Sequence, residues 1–145
     1  MNAVVHIING PNLNLIGIRE PEIYGSESYD SYFKNLKVEF LQFDIQIFQS
    51  NHEGELVDYI QSIIDNGSGI IINPAAFTHT SIALRDALLI HKCPIIEIHL
   101  SNLQDRENFR HESYIKDLAW SFIQGMGLEG YRVALLRMKE FLIPM

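Results

Sequence analysis

The sequence predicts an α/β protein, a doubly wound sandwich around a five-stranded parallel sheet. Short apolar runs at residues 4–8, 45–49, 69–73, 94–100 and 121–124 alternate with stretches of helical periodicity, the pattern of stacked βαβ units. The segments that follow these runs concentrate Asn, His and Ser, as expected where one edge of a parallel sheet carries a ligand site. At 145 residues the chain fits one domain over 1–145, large enough to bury roughly two thirds of the surface its unfolded form exposes.

Each strand is expected from its apolar, β-branched content and the polar residues that end it. After the second run, Leu56, Val57, Ile60, Ile63 and Ile64 recur at helical spacing. Asn51 is placed to cap that helix and Asn66-Gly67 to stop it in the left-handed conformation. Leu84, Ala87 and Leu88 predict a helix between the third and fourth runs, and residues 129–141 a terminal helix with Val133, Leu136 and Met138 among its apolar positions. The helix before the second strand is irregular and rich in aromatics, so its boundary is not fixed. Phe33, Phe40 and Trp120 read as core or interface, and no repeat, low-complexity tract or linker marks a second domain.

Composition narrows the function. Apolar residues make up 47% and charged residues 20%, the balance of a globular protein. A net charge of −7 with scattered Lys and Arg opposes a nucleic-acid surface, because phosphate binding needs clustered cations. Cys93 is the one cysteine and has no internal disulfide partner, which fits a reducing, cytoplasmic setting. The first residues lack a signal-peptide pattern and no apolar run reaches membrane-spanning length, so no membrane partner is expected.

Right-handed crossovers bring the ends of all strands to one edge, which gathers residues 9–14, 50–52, 73–81 and 101–102. Their polar groups suit a hydroxylated, anionic small molecule gripped by hydrogen bonds. Gly10 and Gly17 alone make neither a dinucleotide fingerprint nor a P-loop, and Pro11 removes an amide donor, so nucleotide binding is disfavoured. His79 and His99 lack a third convergent ligand, which argues against a metal site. Glu97 and His99 lie two apart on a strand and can share a face, where the carboxylate can charge and orient the imidazole. A buried histidine with a structural ion-pair partner is the alternative at that position.

The long loop over residues 16–25 contains Arg19 and Tyr24 and is suited to act as a lid. A free phenol ionises near pH 10, leaving about 0.1% phenolate at neutral pH. A guanidinium beside it favours the charged form and can raise that fraction to about 10%. Arg19 is therefore the residue that would make Tyr24 a usable base.

The segments IINGPNLNLIGIREPEIYG, QSNHEGELVDYI, INPAAFTHTSIALRDAL, EIHLSN and FRHES together resemble the ordered motifs of the type II dehydroquinases, and they run through most of the chain. The resemblance implies a flavodoxin-like three-layer sandwich, no metal or cofactor, and a homododecamer assembled from trimers. It also implies a lyase of the shikimate pathway of aromatic amino-acid biosynthesis, taking 3-dehydroquinate reversibly to 3-dehydroshikimate through an enolate. The same reaction serves quinate breakdown.

By the same resemblance, Tyr24 abstracts the proton beside the ketone and Arg19 stabilises its phenolate. Asn12 supports the developing enolate through a water, and His99 protonates the departing hydroxyl, with Glu97 supporting it. Asn73, His79 and Arg110 are implied ligands of the ring hydroxyls, Leu100 and Ser101 hold the carboxylate largely through backbone amides, and Asp86 reaches a neighbouring subunit's site. His6, His52, His91 and His111 are read as structural, with His52 also placed to cap a helix or border the site. A lysine Schiff-base route is opposed because Lys34, Lys37, Lys92, Lys116 and Lys139 all lie outside the strand-end motifs. The remaining rival is a module of the same fold that binds without turnover, and the combination of Tyr24, Arg19 and His99 is what argues against it.

Overall fold

The structure is a computed structural model that describes residues 2–17, 22, 27–64 and 69–143. Five parallel strands, β1 (Ala3–Asn9), β2 (Phe43–Gln49), β3 (Gly69–Asn73), β4 (Ile95–His99) and β5 (Ser121–Gln124), form one sheet in the order β2-β1-β3-β4-β5. Among the described residues four helices connect or follow them: α1 (Tyr29–Glu39), α2 (Glu53–Ser62), α3 (Ile82–Leu89) and α4 (Glu129–Leu142). The expected strands are all present. β1 and β2 begin earlier than their apolar runs suggested, and β4 is one residue shorter at each end.

Side chains alternate across the sheet, and this sorts the core into two layers. Val5, Ile7, Ile71, Ile96, Ile98 and Ile123 pack under α1 and α4, against Phe33, Leu36, Tyr131, Ala134, Leu135 and Met138. Ile8, Ile70, Ile72 and Ile95 face the other way, onto Leu56 and Ile60 of α2 and Leu84, Ala87 and Leu88 of α3. Both faces of the sheet are covered, which explains why β1, β3 and β4 are nearly continuous apolar runs in the sequence.

Local chemistry sets the helix starts. The Ser28 hydroxyl accepts the Ser31 N–H at the head of α1, and the Ser81 hydroxyl accepts the Leu84 N–H at the head of α3. Asn51 does not cap α2: His52 occupies that position without a side-chain hydrogen bond, and Asn51 Oδ1 instead accepts the Asn12 N–H at 2.9 Å. Asn66 and Gly67 lie outside the described residues. The buried stripe of α4 is Tyr131, Ala134, Leu135 and Met138, so Leu136 is 41% exposed rather than in the core. Phe33 and Phe40 are buried, whereas Trp120 is exposed and sets its ring edge-on to Phe141 at 5.0 Å. Among the described residues no helix is long and apolar enough to cross a membrane.

Candidate active site

In this strand order the direction of winding reverses between the parallel neighbours β1 and β3, and the crevice beyond their carboxyl ends is where such sheets bind ligands. Gly10 closes that crevice from below, donating its N–H to the Asn73 carbonyl at 2.8 Å. A Cβ at Gly10 would stand 2.7 Å from the Pro74 carbonyl carbon and closer still to its oxygen. Only glycine lets the two strand ends approach this closely.

A cavity of about 150 Å³ opens there. Asn12, Asn73, His79, His99, Leu100, Ser101 and Arg110 all line it, together with Arg106. The sequence expectation therefore converges for these seven residues, drawn from the ends of β1, β3 and β4 and from the segment after β4. Arg19 and Tyr24 lie outside the described residues. Asp86 is on the exposed face of α3, near the exposed Ile82 and Leu89, and does not line the cavity.

Asn12 is presented by a left-handed backbone, φ 70°, at the start of a 3-10 turn over Leu13–Leu15. Asn tolerates that conformation better than most residues, so the turn selects the residue type as well as aiming it. At the end of β3, Asn73 is 1% exposed. Its Oδ1 accepts the Ala75 N–H at 3.1 Å and its Nδ2 donates to the Tyr131 hydroxyl at 3.2 Å. A 3-10 turn over Ala75–His79 then brings Thr78 and His79 over β4.

His79 Nδ1 donates to the Glu112 carbonyl at 2.7 Å, which leaves Nε2 as the acceptor of the neutral ring. Burial holds its pKa below the ordinary histidine value, opposed by the Glu112 carbonyl and reinforced by His99 and Arg110. Its ring lies nearly parallel to that of His99, centroids 6.4 Å apart.

His99 is the end of a buried chain. Its Nε2 meets Glu97 Oε2 at 2.5 Å, and Glu97 is fully buried. The same carboxylate accepts the Thr78 hydroxyl at 2.7 Å and the Ser113 hydroxyl at 2.9 Å. A buried carboxylate is tolerated when donors surround it, and here it fixes which histidine nitrogen is engaged. Nδ1 is thereby left to exchange a proton in the cavity.

Ser113 also accepts the N–H groups of Ile115 and Lys116, each at 3.1 Å, so one hydroxyl joins Glu97 to the segment that carries Arg110. Arg110 donates to Glu107 at 3.2 Å, and Arg106 donates to the Ser101 hydroxyl at 3.1 Å. The result is a cationic wall opposite a histidine pair, suited to an anionic, hydroxylated ring.

Several of these residues were not singled out from sequence. Thr78 and Ser113 fall inside the quoted motifs but read as ordinary polar neighbours. Arg106 stands four residues before Arg110, in an extended link between two 3-10 turns, and nothing in the local pattern singled it out. Asn9 fell inside the gathered segment over residues 9–14 but was given no role, and Tyr131 gave no signal, being an aromatic on a helix core face. His6, His91 and His111 are tied to Tyr59, the Ile60 carbonyl and the Arg106 carbonyl, in keeping with structural roles. His52 is exposed and lies 3.8 Å from Glu55. The described residues hold no cluster of three or more His, Cys, Asp or Glu able to bind a metal ion.

Fold and site together define an α/β protein of flavodoxin-like topology with an acid–base pocket at the switch point of its sheet. Residues 3–139 match the family described as Dehydroquinase class II, and the chain belongs to that family. It is 51% identical over 138 residues to a 3-dehydroquinate dehydratase of Prochlorococcus marinus subsp. pastoris, covering 94% of each chain. It is 52% identical over 136 residues to an Aspergillus clavatus protein named catabolic 3-dehydroquinase, covering 92% of this chain and 91% of that one. The crystal structure of type II dehydroquinase from Butyrivibrio crossotus superposes with a TM-score of 0.91 at 42% identity, covering 95% of this chain and 98% of that one.

Proposed function

We infer that the chain is a lyase that interconverts 3-dehydroquinate and 3-dehydroshikimate through an enolate, without a Schiff base, as a step of the shikimate pathway. The observation that carries the reading is the buried Glu97–His99 pair opening into a pocket lined by Asn12, Asn73, His79, Ser101 and Arg110. Acid catalysis needs a proton held at a fixed nitrogen, and the Glu97 carboxylate supplies both the charge and the orientation for it.

In this reading Tyr24, with Arg19 beside it, removes the proton next to the ketone. Asn12 stabilises the enolate oxygen as it forms. His99 then protonates the leaving hydroxyl. Asn73, the neutral His79 and Arg110 hold the ring hydroxyls, while the backbone amides of Leu100 and Ser101 receive the carboxylate. The chain acts as one domain in the cytoplasm, a setting favoured by its lone thiol, Cys93. It works as a dodecamer built from trimers, with Asp86 lending a carboxylate to a neighbouring site; the apolar Ile82 and Leu89 exposed beside Asp86 support that assignment.

Mixing the protein with 3-dehydroquinate and following the absorbance of the conjugated enone tests the activity directly. Silence at every pH from acid to alkaline ends the enzyme reading. Tyr24→Phe should lose orders of magnitude in kcat while substrate still binds, and a near-normal rate removes Tyr24 from its role. A substrate adduct trapped on lysine by borohydride refutes the enolate route.

A further inference from the structure

The pocket polar groups lead into a second buried chain that the acid–base chemistry does not use. The Asn73 side-chain N–H donates to the Tyr131 hydroxyl at 3.2 Å, and that hydroxyl donates to Asn9 Oδ1 at 2.5 Å. Asn9 Nδ2 in turn donates to the Tyr29 hydroxyl at 3.1 Å, in the first turn of α1. Tyr131 and Asn9 are both fully buried. Burial pushes the Tyr131 phenol far up, so it remains an O–H donor at every working pH.

The chain has only one consistent direction. Asn73 Oδ1 is committed to the Ala75 N–H, so its amide nitrogen must point to Tyr131, and the residue also lines the cavity. Ala75 itself sits at φ 52°, a conformation unusual for alanine, and the Asn73 bond helps hold it there. Without the phenol, nothing described fixes the Asn73 amide from the core side.

We propose that Tyr131 is a positioning residue for substrate: its hydroxyl, anchored on Asn9, locks the Asn73 side chain so that a donor faces the ring hydroxyl. The proposal rests on the reading that Asn73 is a substrate ligand. Phenylalanine at position 131 keeps the ring packing, which includes an edge-on contact with Phe33 at 4.8 Å, and removes only the hydroxyl.

The test is a double-mutant cycle of Tyr131→Phe and Asn73→Ala, reading kcat and KM of the full assembled enzyme, with circular dichroism to confirm native fold. Tyr131→Phe should raise KM about tenfold, the scale of one misaligned buried hydrogen bond, and leave kcat within about threefold. In the Asn73→Ala background the same change should move KM less than about twofold, because its target is gone. An equal KM factor in both backgrounds means a general structural effect and overturns the proposal, as does an unchanged KM in the single variant. If Asn73→Ala alone leaves KM unchanged, the ligand reading fails first and the proposal falls with it. Should Tyr131→Phe not fold, Asn9→Ala removes the acceptor of the phenol proton and is expected to raise KM in the same Asn73-dependent way; an unchanged KM there overturns the proposal.

Discussion

Replacing Glu97 by glutamine isolates the charge at the heart of the site. The side chain keeps its volume, yet one acceptor oxygen becomes an amide donor in a pocket where Thr78, Ser113 and His99 all present hydrogens. Thr78 can rotate its hydroxyl, but Ser113 cannot easily do so, because its lone pairs already accept two backbone N–H groups. Ser113 lies 2.9 Å from each carboxylate oxygen and His99 meets Oε2, so an amide oxygen at the Oε2 position can still accept from both, and what the substitution removes is the charge. In either orientation the His99 ring loses the negative charge beside it. A hydrogen bond to a charged partner contributes about 1.5–3 kcal/mol, which, withdrawn from the step that uses the imidazolium, slows kcat by roughly 10- to 150-fold. Initial rates of enone formation give kcat and KM, and a melting curve checks that the fold survives. A folded Glu97→Gln enzyme with kcat within about threefold of the parent refutes the argument that this carboxylate powers His99. A raised KM with unchanged kcat confines the pair to binding.

Gly10→Ala should cost both stability and activity, roughly 1–3 kcal/mol for the forced separation of the strand ends, because its Cβ meets the Pro74 backbone. Gly69→Ala is the contrast: its Cβ meets Met138, at 2.9 Å from Cε and closer to Sδ, a flexible side chain that can swing, so thermal melts should rank it milder and its kcat should be near normal. Burial lowers the His6 pKa below the ordinary value, so the unfolded chain takes up the proton first as the solution is acidified. The stability from neutral His6 is present above about pH 6.5 and is lost progressively as pH falls toward the depressed folded value. Urea midpoints should fall between pH 7.5 and 5.5, and less so in His6→Gln; equal falls in both proteins clear His6 of the effect. His79→Ala should raise KM at least about tenfold with a smaller change in kcat, since the half-buried acceptor proposed for a ring hydroxyl is lost, and an unaltered KM removes His79 from the proposed binding set.

Much of this architecture was legible because the sheet is parallel and covered on both faces. Such strands must be apolar on both sides, so residues 69–73 and 95–99 announce themselves without alternation. The helices were legible where an apolar stripe was clear, as at Leu56 and Ile60, and less so at α1, whose core face is built from Phe33 and Leu36 amid tyrosines. The Asn51 expectation failed for a tertiary reason: the Asn12 turn needs an acceptor for its N–H, and Asn51 supplies it from the next strand end. No local rule contains that partner. The residues that line the cavity were readable because they cluster in segments after strands, where polarity has no packing explanation. Thr78, Ser113 and Tyr131 were not, because their importance lies in which buried atom they satisfy, and Tyr131 and Asn9 are 122 positions apart in the chain.

The pleat that organises the core also divides the labour of the site. Glu97 and His99 follow Ile95 at intervals of two and so face the α2 and α3 side, where Thr78 and Ser113 hold Glu97 and Glu97 holds His99. Asn9 follows Val5 and Ile7, and Asn73 follows Ile71, so both face the α1 and α4 side, where Tyr29 and Tyr131 hold them. On the roles proposed above, the Glu97–His99 pair and Asn73 are thus supported from opposite layers and meet only at the carboxyl edge. Substitutions behind Glu97 should then act chiefly on kcat and substitutions behind Asn73 chiefly on KM, with the two sets nearly additive because they share no buried partner. Combining Glu97→Gln with Tyr131→Phe makes the comparison: losses in kcat/KM that multiply support two separate supports, and a strong departure from that product means the sheet edge transmits strain between them.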